Sequence, residues 1–177
     1  MRVDNTNPTG AITAPADTAG KGSSGLLIPD ISFSSSNGLE LSVPYYFRLA
    51  PNRDLTLTPH VYTKSAPGIE ARYRQLSSLG AFQLGGFATY ANIENPNRDD
   101  PDGSKGHGLR AYVEGNGRLQ FDPYWSLTGS LRAATDKTVT RRYDLTRDDR
   151  LRNFVEAERI TPRGYLSIAG WAFEGLR

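Results

Sequence analysis

From Gly25 onward, apolar and polar residues alternate with a period of two. The clearest run is Leu39 to Leu49. Leu39, Leu41, Val43, Tyr45, Phe47 and Leu49 share one face, and Glu40, Ser42, Pro44, Tyr46 and Arg48 share the other. A helix would scatter these residues around its circumference, whereas a strand sorts them onto two faces. The pattern recurs. Leu55, Leu57, Pro59 and Val61 oppose Thr56, Thr58, His60 and Tyr62. Ile69, Ala71 and Tyr73 oppose Glu70, Arg72 and Arg74. Phe82, Leu84, Gly86, Ala88 and Tyr90 share a face. Leu109, Ala111, Val113, Leu119 and Phe121 oppose Arg110, Tyr112, Glu114, Arg118 and Gln120. Trp125, Leu127, Leu131 and Ala133 oppose Ser126, Thr128, Ser130 and Arg132. Weaker runs cover Ile28–Ser36, Leu151–Ile160 and Tyr165–Phe173. The expectation is an all-β antiparallel up-and-down meander of about nine strands, each close to the ~9–11 residues of a tilted membrane strand.

The connections carry a second pattern. In chain order they are 36–38, 51–54, 65–67, 77–80, 94–107, 122–123, 137–150 and 161–164. Both long polar connections are odd-numbered and every even one is short. In a meander, odd and even connections lie at opposite ends. Short turns at one end and longer loops at the other are the asymmetry of outer-membrane barrels. Tyr45, Phe47, Tyr90, Phe121, Tyr124, Trp125, Trp171 and Phe173 fall near strand ends, as interfacial aromatics would. The polar face carries full charges, which a wet lumen permits. Its lumen-facing candidates are Glu40, Arg48, Glu70, Arg72, Arg74, Arg110, Glu114, Arg118 and Arg132. The alternative is a soluble lipid- or sugar-binding β-sandwich whose aromatics fill a core. Long strands, the charged face and the lack of a Greek-key crossover favour the barrel.

Composition narrows the picture further. Hydrophobic residues are 37% of the 177 residues, low for a packed globular core. Mean hydropathy of −0.51 would ordinarily mean a soluble protein, but in a barrel only every second residue meets lipid. No apolar run approaches the ~20 residues of a spanning helix. Basic and acidic residues number 21 and 19 and are interspersed, so there is no electrostatic case for nucleic acid. Cysteine is absent, which excludes disulfides and Cys-ligated metal. Residues 1–24 are rich in Gly, Ser, Thr, Pro, Ala and Asn without periodicity, and are expected to be a linker or disordered tail before a barrel portion at 25–177. They lack an apolar signal core, so an export signal is expected to be missing from this chain.

Candidate chemistry is sparse. His60 and His107 fit no metal-ligand spacing, and His60 reads as a polar residue of the lumen face. Asp99-Asp100-Pro101-Asp102-Gly103 lacks the spacing of a calcium loop and reads as solvated surface. Glu156 and Glu158 share a strand face and read as solvated or salt-paired wall residues. No G-x-S-x-G elbow is present, and no enzyme activity or cofactor is expected. The prolines say more. Pro29 and Pro44 lie within the first two strands, where each removes a ladder donor. On pattern alone they are either edge-strand punctuation or marks of deliberately weak pairing.

Several stretches resemble the lipopolysaccharide-assembly (organic-solvent-tolerance) family of Gram-negative outer membranes. They are Ser24–Pro29, Ser34–Phe47, Leu49–Asp54, Leu57–His60, Glu70–Leu76 and Trp171–Arg177. The resemblance covers about residues 24–177 and is most specific over Gly25–His60. It implies the first third of a barrel of about 26 strands, hence a fragment. A periplasmic jellyroll domain would precede the barrel in the family, and is expected to be missing from this chain. It also implies a transport function. Lipopolysaccharide arrives from a periplasmic bridge and enters the outer leaflet. Its lipid leaves through a lateral gate between the first and last strands while its sugars pass the lumen, which holds a plug lipoprotein. In the family, prolines in the first two strands weaken the gate seam, and Pro29 and Pro44 match them.

Overall fold

A computed structural model describes residues 23–92, 107–136, 138–146 and 148–175. All nine alternating runs contain strands, but the second is broken and a short extra strand precedes the first. The first run, Ile28–Ser36, is β2 (Asp30–Ser34), and a two-residue strand not expected there, β1 (Gly25–Leu26), precedes it across Leu27–Pro29. The second is β3 (Gly38–Ser42) and β4 (Tyr45–Ala50), separated by Val43 and Pro44. Then follow β5 (Arg53–Tyr62), β6 (Gly68–Ser77), β7 (Gly80–Asn92), β8 (His107–Gln120) and β9 (Trp125–Ala134). A short helix, α1 (Val139–Arg142), precedes β10 (Arg150–Thr161) and β11 (Gly164–Gly175). The expected nine strands are thus eleven elements, and each added break contains a proline.

These elements form one antiparallel sheet in the order β1-β4-β5-β6-β7-β8-β9-β10-β11, with β2 on β3 and β3 on β5. The path follows the chain without a crossover, and among the described residues the sheet does not close. No second sheet packs on it there, so the sandwich alternative is not the arrangement. No helix among the described residues is long and apolar enough to cross a membrane.

Register carries the two faces across the sheet. Arg48, Asp54, Arg74, Gln83, Asn116, Ser130, Phe154 and Trp171 are successive cross-strand partners on one face. Phe47, Leu55, Tyr73, Leu84, Gly115 and Leu131 follow one another on the other. The apolar face is the bare one. Phe33 is 74% exposed, Leu131 69% and Ile168 64%. A soluble protein would cover so large an apolar surface. Aromatics gather on it toward the even-numbered turns, where Tyr45 and Phe47 rings lie 4.5 Å apart and Tyr73 and Phe82 6.0 Å apart. On β11 the polar face itself turns apolar, with Tyr165, Trp171 and Phe173 all exposed.

The two ends differ. Even-numbered turns are tight, and Gly80 after the second of them has a positive φ of 141°. A Cβ there would collide with the Arg118 carbonyl oxygen on the next strand, so only glycine fits. At the odd-numbered end, the connection after β9 folds back as a strap over the polar face. Val139 and Tyr143 bury themselves against Tyr62 and Phe87 there. Beside them Tyr112 and Leu151 form a second small cluster, with Ala134 and Leu145 partly buried against both. The other long connection lies outside the described residues, as does Asp99–Gly103.

Candidate functional site

All nine lumen-facing candidates lie on the same face of the sheet, as register places them. They do not form one cluster but a field of local pairs. Arg74 donates two hydrogen bonds to Asp54, at 2.9 and 3.1 Å, and the Asp54 side chain is only 1% exposed. Arg48 stands opposite Asp54 on β4. His60 bridges two acids: Nδ1 lies 2.8 Å from Glu40 and Nε2 lies 3.6 Å from Glu70. Glu40 also accepts from Ser32 at 3.0 Å, and Arg72 pairs with Glu70 at 3.0 Å. Tyr112 donates to Glu114 at 2.9 Å. Arg118 is 3.9 Å from Glu158, and Arg132 is 2.7 Å from Asp148. The Glu156 and Glu158 carboxylates accept from Ser167 at 2.8 Å and Tyr165 at 2.9 Å. His107 stacks near Tyr90, at 6.2 Å. Paired charge of this kind keeps a face polar and hydrated without concentrating one sign on it.

The strap is fastened at its base by Arg110. Its guanidinium makes two bonds to Asp136, at 2.9 and 2.8 Å, and one to the Thr138 hydroxyl. Asp136 also accepts from the backbone amides of Thr138 and Val139, both at 2.9 Å, and so caps α1. Burial pushes the Asp136 carboxyl up, but Arg110 and Thr138 outweigh it and hold it at about 2, below its ordinary 3.8. A lowered folded-state value means this contribution to stability is complete above about pH 4 and is lost as pH falls toward 2. Pepsin cleavage at Tyr143 and Leu145, normalised to an unfolded substrate, is expected to accelerate across that window. Asp136→Asn should be cleaved readily throughout and show no such step.

The first two runs form the other feature. Gly25 and Leu26 pair with Tyr46 and Tyr45, while Asp30 pairs with Ser42. Leu27–Pro29 therefore face only Val43 and Pro44, and one residue is in excess, which is a bulge. Leu27 N donates to Pro44 O at 2.9 Å. Antiparallel pairing would return a bond from position 44, but proline has no N–H. Pro29 sits exposed within the break on the sheet's edge. Pro59 repeats the effect one strand inward: Val43 N donates to Pro59 O at 3.3 Å, with no bond returned.

Known proteins align with this chain. LPS-assembly protein LptD of Paraburkholderia xenovorans (strain LB400) is 56% identical over 59 residues, which is 33% of this chain and 8% of that protein. LptD of Burkholderia cenocepacia (strain HI2424) matches equally well over the same length. The curated relatives are LPS-assembly proteins. LptD of Psychrobacter cryohalolentis is 39% identical over 105 residues, 59% of this chain and 9% of that protein. The chain thus spans about a tenth or less of the length of the LptD proteins it matches. No protein-family model matches it.

Several residues of the site are not apparent from strand pattern. Asp54 reads as the end of a turn, yet it is the second residue of β5 and partners Arg74. The alternation of Leu55 and Leu57, extended one step back, would have placed it on the charged face. Asp136, Asp148 and Asn37 lie in connections, where periodicity says nothing about partners.

Proposed function

We propose that the chain is a piece of the wall of an outer-membrane β-barrel that assembles lipopolysaccharide into the outer leaflet. Its carrying observation is 56% identity to proteins named for LPS assembly. The bare apolar face of the sheet supports a bilayer as its surroundings. In this reading residues 25–177 are the first strands of the barrel. The charged face lines the lumen, which passes the sugars and holds a plug lipoprotein. The even-numbered turns and their aromatic band face the periplasm, where a protein bridge delivers the lipid. The function is transport, with no chemistry done on the substrate and no cofactor.

The broken first hairpin is one side of a lateral gate. A seam must open for a lipid and still close, so its pairing must be weak. Pro29 and Pro44 supply that weakness by removing donors from the ladder at the sheet edge. Restoring each donor is worth about 0.5–1.5 kcal/mol. In the full-length protein, Pro29→Ala with Pro44→Ala is expected to tighten the seam and reduce lipopolysaccharide at the cell surface. Surface labelling of lipopolysaccharide measures it. Unchanged export in the double variant would remove the gate assignment while leaving the LPS-assembly reading in place.

A further inference from the structure

We propose that the strap at residues 138–146 is a lid on the polar face, and that Asn37 latches it to the first hairpin so that the two move together. Asn37 sits in the turn between β2 and β3 and is only 3% exposed. Its Nδ2 donates to the Arg142 carbonyl at 2.7 Å. Its Oδ1 accepts from the Ser65 hydroxyl at 2.7 Å, and Ser65 in turn accepts from the Arg142 guanidinium at 3.1 Å. Its backbone amide donates to Ser34 Oγ at 3.0 Å, and its carbonyl accepts from Lys64 N at 3.0 Å. One buried side chain therefore joins three connections that are distant in sequence.

Both joined parts are weak on their own. A helix of four residues cannot persist without tertiary contacts, so α1 keeps its form only while docked. Its docking rests on Val139, Thr140 and Tyr143, which are buried, and on the Arg110–Asp136 clasp. The β2–β3 hairpin lies at the sheet edge beyond the proline breaks. Its cross-strand register with β5 is three pairs, from Glu40–Tyr62 to Ser42–His60. Lifting the strap would strand the Asn37 amide and the Arg142 carbonyl, and freeing the hairpin would do the same. An unmet buried polar group is costly, so each motion favours the other. A lid coupled to the edge hairpin would open the polar face at this end only when the edge itself is released.

This inference rests on the barrel-wall reading only in taking the polar face as the enclosed side. Its test reads the contact rather than export, so the two can fail separately. Hydrogen exchange followed by mass spectrometry on the full-length protein in detergent is the measurement. Asn37→Ala is expected to speed exchange in residues 139–145 roughly ten- to hundredfold. Asp136→Asn, which loosens the strap from its far end, is expected to speed exchange in residues 37–42 as well. Peptides from β7 and β8 should be unchanged in both. Ser65→Ala, a milder loss, should shift both segments in the same direction by less, and it serves if Asn37→Ala does not fold. Faster exchange in the strap of Asp136→Asn with residues 37–42 unchanged would overturn the coupling. So would an unchanged strap in Asn37→Ala.

Discussion

Leu131→Arg is expected to destabilise the protein in a bilayer by about 2–4 kcal/mol. Leu131 lies well inside β9 on the apolar face and is 69% exposed. In water, an arginine at so open a site would change stability by no more than about 0.5 kcal/mol. In lipid it must desolvate or distort the membrane around it. Ser130→Arg, one residue away on the polar face, is the control and should be nearly neutral. Urea titration of the full-length protein in phospholipid vesicles, read by loss of the compact gel-resistant form, distinguishes the two. Equal, small effects at both positions would mean that the apolar face does not meet lipid.

The second large effect is expected at Asp54. Asp54→Ala removes the carboxylate that Arg74 grips with two bonds and leaves that guanidinium, 19% exposed, beside an empty site. Breaking a buried pair from one side costs about 3–5 kcal/mol, and the partial exposure of Arg74 places this case near the lower figure. The same titration measures it. Replacing both partners by leucine should recover much of the loss, because no charge is then stranded. A single variant as stable as the original would show that water already screens Arg74.

Much of the fold is legible in the sequence because a half-buried sheet imposes a period of two. Leu109 to Phe121 declare their strand without reference to any partner. The same holds for Leu39 to Leu49, apart from the break at Val43 and Pro44. A proline in a strand announces a missing donor, but not whether the strand merely thins or stops. Here it stops, because the bulge opposite Pro44 leaves Leu27–Pro29 without a matching register. The sequence also marks the charged face. It does not say that Arg74 binds Asp54, or that Arg110 reaches Asp136 beyond the end of β9. Those pairings depend on strand register and on where a connection folds.

By itself, the sequence determined the nine alternating runs, the two faces they sort into, and the asymmetry of short and long connections. Each follows from local geometry, since side chains on a strand alternate whatever the strand pairs with. Only the tertiary structure decided that the strap folds back over the polar face, that Asn37 ties it to the first hairpin, and that the apolar face is left bare. These depend on contacts between residues far apart in the chain, such as Asn37 and Arg142. No local pattern encodes them. They exist because a buried amide must find partners, and the sheet brings those partners to one end.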